Sequence, residues 1–277
     1  MSTHAFARAT SAAAFLLLIA GGLVTSTGSA LAVPDWPLSF GRFFPPMVGG
    51  ILFEHGHRMI AGLVSLLTFA LGALFYRDEK RAWARNVAYA ACAAIILQAV
   101  LGGLTVLLRL PPQIAVSHAC LAQAVFCLIL TLAQITSPWY LHARPAAGAD
   151  GLWRLGALSV AAVYLQLLWG AIVRHTGHGI ALHAAWALAV TAAVGASAFR
   201  LLTSFSKEPV LSRPGALLAG LLPVQLALGV AAYLIRYSPY LDLSFNAAAS
   251  LTTAHVAVGA LILGTSVIWT LRAYRLQ

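Results

Sequence analysis

Charge is scarce in this chain. Only 9% of its 277 residues are charged and seven are acidic, against 61% apolar. So little polar surface cannot cover a globule in water, which excludes a soluble enzyme or binding module. Cysteine is almost as rare: Cys92, Cys120 and Cys127 all fall inside apolar stretches. There they read as small packing residues, and no disulfide can form in a loop between those stretches. No soluble segment gathers the basic residues either, so the net charge of +10 is no footprint for nucleic acid.

What is present is length of apolar run. Eight stretches reach the roughly 20 residues needed to cross a hydrocarbon core about 30 Å thick: 12–31, 52–75, 86–108, 114–135, 154–173, 180–202, 215–235 and 247–271. The reading is an all-α integral membrane protein of eight transmembrane helices, with Pro223 interrupting the seventh. If the N-terminus is cytoplasmic, that side collects twelve of the 17 Lys and Arg residues and leaves Arg42, Arg58, Arg109, Arg174 and Arg236 outside. This positive-inside bias puts both termini in the cytoplasm. Ser29-Ala30-Leu31-Ala32 resembles a signal-peptidase site. Retention is nonetheless expected, because the run from Gly22 to Gly28 echoes the run from Gly170 to Gly177 at the end of the fifth span.

The echo belongs to a larger repeat. Gln98-x-x-x-Gly102 and Arg109 in the third span recur as Gln225-x-x-x-Gly229 and Arg236 in the seventh, and Gln166-x-x-x-Gly170 lies in the fifth. Each even-numbered span carries one histidine near its outer end: His57, His118, His183 and His255. The expected organisation is two pseudo-symmetric four-helix bundles. Residues 1–140 form an N-terminal half and 150–277 a C-terminal half, both starting inside.

An ionisable group within a span is costly and is retained for a partner. The four histidines share one depth, and within each half the two come from different helices. That is what bis-imidazole ligation of haem iron requires, so two sites are expected, His57 with His118 and His183 with His255. The other histidines are read as peripheral. His4 and His142 are expected on solvated cytoplasmic segments, and His55, His175 and His178 at the outer boundary as interfacial hydrogen-bonding groups.

The two sites differ. Glu54 stands three residues before His57, whereas Ile180 stands before His183. A carboxylate beside a ligand suits proton-coupled chemistry, and an apolar neighbour suits a closed electron-transfer haem. Glu54 could equally neutralise Arg58 at i+4 or orient an imidazole. The outer arginines Arg42, Arg109, Arg174 and Arg236 suit haem propionates, with interfacial snorkelling as the ordinary alternative. The Gln-x-x-x-Gly pattern reads as a close helix contact.

These residues resemble the heme A synthase family. The resemblance rests on Phe53-Glu54-His55-Gly56-His57-Arg58, on the run from Gln98 to Val106, and on Pro111-Pro112 before His118. It continues through Val173-Arg174-His175-Thr176-Gly177, His183-Ala184, His255 and the loop Pro34-Asp35-Trp36-Pro37-Leu38. It implies a bacterial cytoplasmic membrane oxidoreductase that converts the C8 methyl group of heme O to the formyl group of heme A for aa3-type terminal oxidases. On that resemblance His183 and His255 ligate a resident haem b, His57 and His118 bind the substrate haem, and Glu54 is the catalytic acid. Its partners would be membrane lipid, an unidentified electron donor, the heme O-producing enzyme and oxidase assembly factors, with no nucleic acid. In the family a cysteine pair often flanks the loop signature; here Val33 and Ser39 stand there, which puts thiol-dependent electron delivery in doubt. The rival readings are a dihaem cytochrome b electron carrier, which leaves an acid at only one site unexplained, and a transporter, whose broken helices and midplane charges are missing.

Overall fold

The computed structural model describes residues 2–238 and 243–277. Among the described residues eight helices are long and apolar enough to cross a membrane, and the protein is an integral membrane protein. They are α1 (Thr3–Ser26), α2 (Gly49–Asp78), α3 (Ala82–Leu107), α4 (Pro112–Ile135), α6 (Leu152–Thr176), α7 (Ile180–Ser204), α8 (Pro209–Tyr237) and α9 (Phe245–Arg275). A single-turn helix, α5 (Pro138–His142), starts the connection between α4 and α6.

The ends of these helices follow from local chemistry. The Ser2 hydroxyl accepts the Ala5 amide and starts α1, and Gly28, at φ 65°, marks its end. The first span therefore begins nine residues before the apolar stretch expected at 12–31 and ends five before it. Small polar residues from Thr3 to Ser11 are compatible with a capped helix but depress hydropathy, and the turn-forming segment after Ser26 is apolar yet not helical. Pro112 occupies the first turn of α4, where its missing amide costs nothing. Pro223 does not interrupt the seventh span, because α8 continues through both Pro214 and Pro223 to Tyr237.

Helices α1 to α4 pack in sequence, and α1 closes against α4; α6 to α9 do the same, with α6 against α9. Contacts of α1 with α9, of α4 with α9 and of α4 with α6 join the two sets. Small residues permit these approaches: a Cβ at Gly264 of α9 would stand 2.7 Å from Leu130 of α4. Within the first set Cys92 packs at Gly72, where a Cβ would meet its sulfur at 2.6 Å, in keeping with its reading as a packing residue. Polar contacts pin the junction at both ends. Thr252 donates to Ser26 at 2.9 Å at one end, and Arg272 donates to Gln134 at 3.2 Å at the other. Within the first set, His4 Nδ1 lies 3.0 Å from the Ala133 carbonyl. It bridges α1 and α4 instead of standing in solvent, whereas His142 is exposed as expected.

Candidate haem-binding sites

Each of the four span histidines sits on a glycine of the preceding long helix. A Cβ built on Gly21, Gly102, Gly170 or Gly229 would lie 3.1 Å from Cε1 of His57, His118, His183 or His255 respectively. The glycines lie five to eight residues before the ends of α1, α3, α6 and α8. The histidines lie three to ten residues after the starts of α2, α4, α7 and α9, about 5 to 15 Å along the axis. Any side chain larger than hydrogen at the glycine would push the ring away, so the pair fixes imidazole position by backbone contact. The Gln-x-x-x-Gly pattern is thus a close helix contact, as read, but one made with a histidine.

The glutamines fasten what the glycines position. Nε2 of Gln98 donates to the His118 carbonyl at 3.0 Å, and Nε2 of Gln166 donates to the His183 carbonyl at the same distance. Gln225 stands in the same register against α9, its amide nitrogen 3.2 Å from where a Gly259 Cβ would be. The echo noted in the sequence needs a shift of one residue. Gly28 and Gly177 both adopt left-handed backbone after their helices, and aligning them pairs Gly21, not Gly22, with Gly170. At that register Leu17 takes the place of glutamine.

In the second set the rings of His183 and His255 face each other with centroids 6.4 Å apart and planes at 73°. A metal–imidazole bond is about 2 Å, and the ring centre lies roughly 1 Å farther, so two imidazoles on one ion stand about 6 Å apart. The pair fits a bis-histidine iron. His57 and His118 lie within electrostatic reach of each other in the first set. Nδ1 of all four rings is buried without a hydrogen-bond partner among the described residues, while Nε2 of His118 and of His183 lies 3.4 Å from the amide nitrogen of Gln98 and of Gln166.

The outer loop before α2 is organised by Arg58. Its guanidinium donates to the carbonyls of Asp35 at 2.7 Å, Leu38 at 2.9 Å and Val33 at 3.4 Å, and to Glu54 Oε1 at 2.5 Å. The second Glu54 oxygen accepts the Val33 amide at 2.9 Å. Glu54 is therefore the carboxylate of an i,i+4 ion pair and of a loop clamp, and it is buried. Asp35 closes the loop from the other side by accepting the Gly41 and Phe40 amides, and these bonds hold its carboxyl below the usual range. Ser39 bonds His55 Nδ1 at 2.8 Å, the interfacial role expected of that histidine. Trp36 lies on Gly103, where a Cβ would stand 2.8 Å from the indole. The loop thus reaches α3 beside the glycine that seats His118. Val33 and Ser39 both end fully buried, each tied to α2 by a hydrogen bond.

At the corresponding end of the second set, Arg174 donates to the Thr25 carbonyl. The Arg236 guanidinium lies 3.4 Å from where a Gly177 Cβ would stand. Neither is paired with a carboxylate among the described residues, and neither are Arg42 and Arg109. Arg109 and Leu110 both carry positive φ, 59° and 60°, an uncommon backbone at the turn into Pro111-Pro112. His178 bonds locally to Thr176. The hub made by Arg58 was not foreseen, because its partners are main-chain carbonyls 20 to 25 residues away. The seat at Gly21 was missed because no glutamine marks it.

Residues 48–183 match the model of a family described as cytochrome oxidase assembly protein. That interval holds Glu54, His57, His118 and His183 and stops short of His255. The chain is 30% identical over 181 residues to a heme A synthase of Bacillus pumilus, covering 60% of this chain and 56% of that protein. It is 36% identical over 128 residues to a heme A synthase of Ruegeria pomeroyi, covering 42% and 34%. With a heme A synthase of Geobacillus kaustophilus it shares 26% identity over 184 residues, covering 64% and 57%. The matched part of the chain spans from about a third to somewhat over half the length of these relatives. With four glycine-seated histidines in eight membrane-spanning helices, the chain is similar over part of its length to heme A synthases and to the cytochrome oxidase assembly protein family.

Proposed function

We propose that the chain is a heme A synthase, an enzyme oxidising the C8 methyl group of heme O to the formyl group of heme A for aa3-type oxidases. The observation that carries this reading is the fourfold histidine–glycine seat, which supplies two imidazole pairs near one end of the helices. In this reading residues 150–277 form the half in which His183 and His255 hold a resident haem b. Residues 1–140 form the half in which His57 and His118 hold the substrate haem. When bound, the iron supplies the redox chemistry; the protein orients the macrocycle and closes the site from water.

Arg174 and Arg236 are the cations best placed to receive propionates in the second half, since neither fork is paired with a carboxylate among the described residues. Glu54 is the acid of the first half, and both its oxygens are engaged. Its contribution follows as that of a positioning residue: with Arg58 it holds the loop from Val33 to Leu38 beside the substrate site, with Trp36 seated on α3. The membrane would be the bacterial cytoplasmic membrane with both termini inside, following the distribution of Lys and Arg. An electron donor and the heme O-producing enzyme would be its working partners.

A dihaem cytochrome b would hold two equivalent permanent haems. Extraction of noncovalent haem from the purified protein, followed by chromatographic identification, separates the readings. The expected result is haem b together with heme O or heme A. Haem b alone, at two per chain, would overturn the enzyme reading.

A further inference from the structure

The loop between α1 and α2 ends in a short segment that the candidate haem sites do not use. Its apolar side chains point away from the protein: Phe43 is 77% exposed and Phe44 80%, with Phe40, Met47 and Val48 exposed beside them. The turn that presents them is firmly built. Asp35 accepts the Phe40 amide at 2.7 Å and the Gly41 amide at 2.8 Å, and Ser39 and Arg42 exchange main-chain bonds of 3.0 and 3.1 Å. Phe40, at φ 53°, and Gly41, at φ 68°, take left-handed backbone to close it. A patch of large apolar residues displayed on an ordered turn marks a surface with an apolar partner.

The nature of that partner can be read from α2. Its exposed residues Leu52, Met59, Leu63, Leu66 and Phe69 recur at helical spacing and form one apolar stripe on a membrane-spanning helix. Such a face, left uncovered by the other helices, meets hydrocarbon. The stripe has a gap one turn after Leu52, where the chain has Gly56. Met47 fills it: its Cε lies 4.0 Å from where a Gly56 Cβ would stand. The end of the loop therefore lies against the lipid-facing side of α2 and continues that side beyond the helix.

We propose that the segment from Phe43 to Val48 is a membrane-inserted lip, with Phe43 and Phe44 in the upper acyl region of phospholipid and Arg42 at the phosphates. Continuity with the α2 stripe favours lipid over a protein partner. Arg42 is exposed and paired with no carboxylate among the described residues, and a cation next to buried aromatics suits the headgroup boundary. The consequence is positional. The same loop carries Trp36, seated on Gly103, and the stretch from Val33 to Leu38 held by Arg58. Lipid thus holds from one side a loop that α2 and α3 hold from the other. This inference rests on the membrane-spanning helices and is independent of the haem reading.

Site-directed fluorescence in lipid nanodiscs, where both faces of the bilayer are open to water, tests this. Phe43→Cys and, separately, Phe44→Cys are made in the full chain with Cys92, Cys120 and Cys127 replaced by alanine. Each is labelled with a polarity-sensitive probe and reconstituted in phosphatidylcholine. Leu66→Cys, on the α2 stripe, is the lipid reference, and Lys80→Cys, exposed beyond the far end of α2, is the aqueous one. The expected result at Phe43 and Phe44 is a blue-shifted emission. Most of it should be lost to phospholipids that carry a nitroxide high on the acyl chain, and little of it to aqueous iodide.

Iodide quenching as strong as at Lys80→Cys, with no loss to the lipid nitroxide, would place the loop in water and overturn the proposal. Shielding from both quenchers would overturn it too, since the phenylalanines would then be covered by protein, either a second copy of the chain or a partner. Two adjacent positions are probed so that a variant that fails to fold leaves the other to decide. The probes need no haem, so failure of the haem reading looks different: haem content would contradict it while the probes still report lipid.

Discussion

The two sets of four helices share the histidine–glycine seat and differ in what surrounds it. Around His183 and His255 the neighbours are helices: Gln166 clamps the His183 backbone, Ile180 opens α7 one turn before His183, and Arg174 and Arg236, paired with no carboxylate among the described residues, stand in the last turns of α6 and α8. Around His57 and His118 the His118 backbone is clamped in the same way by Gln98, but a buried carboxylate stands in place of the isoleucine and a loop folded on Arg58 reaches across to α3. Like seats therefore stand in unlike surroundings, helices around one pair and a loop over the other. On the proposed reading the second set is the retentive site and the first exchanges its haem.

The largest effect should come from removing a ligand of the retentive site. His183→Ala or His255→Ala should strip most of the tightly bound haem b, read as loss of the low-spin bis-histidine spectrum, while heme O still binds at the first site. An unaltered spectrum in both variants would show that the retentive site lies elsewhere.

A smaller effect is expected at the loop hub, and it sharpens the contrast between the halves. Arg58→Ala leaves Glu54 buried without its cation and should cost about 3 kcal/mol. It should also open the segment from Val33 to Leu38 to proteolysis and sharply reduce heme A formation, with haem b content nearly intact. Glu54→Gln keeps one acceptor but sets an amide donor against the Arg58 or Val33 donor. It should give the same pattern in milder form. A Glu54→Gln protein with a firmly closed loop but no heme A formation would return a direct proton-transfer role to this carboxylate.

The smallest effect is expected from thiol chemistry. Cys92, Cys120 and Cys127 are half-buried inside membrane-spanning helices, and Val33 and Ser39 engage α2 by hydrogen bonds. A membrane-impermeant thiol reagent should leave heme A formation unchanged. Inhibition traced to a labelled cysteine would contradict this.

Much of this architecture could be read in the sequence because hydrophobic length and histidine depth are local signals. Seven of the eight spans lie within their helices apart from a residue at one end; only α1 is displaced, since its capped polar start is invisible to hydropathy. The common level of the four histidines followed from their depth in the spans, and the approach of His183 to His255 from their places on different helices of one half. The loop clamp did not, because Arg58 gathers main-chain carbonyls that carry no residue-specific mark. The role of the glycines was half visible: Gln-x-x-x-Gly announced a close contact, but its partner on the next helix, and the equivalent Gly21 without its glutamine, emerge only when the helices are packed.

The central claim is that one haem site retains its occupant and the other exchanges it. It is tested most directly by exposing the fully loaded protein to a haem scavenger such as apomyoglobin and identifying by chromatography what stays bound. The account predicts that heme O and heme A leave rapidly while haem b remains, and that haem b is lost from the His183→Ala protein. Loss of all haems at one common rate, or retention of all of them, would contradict it.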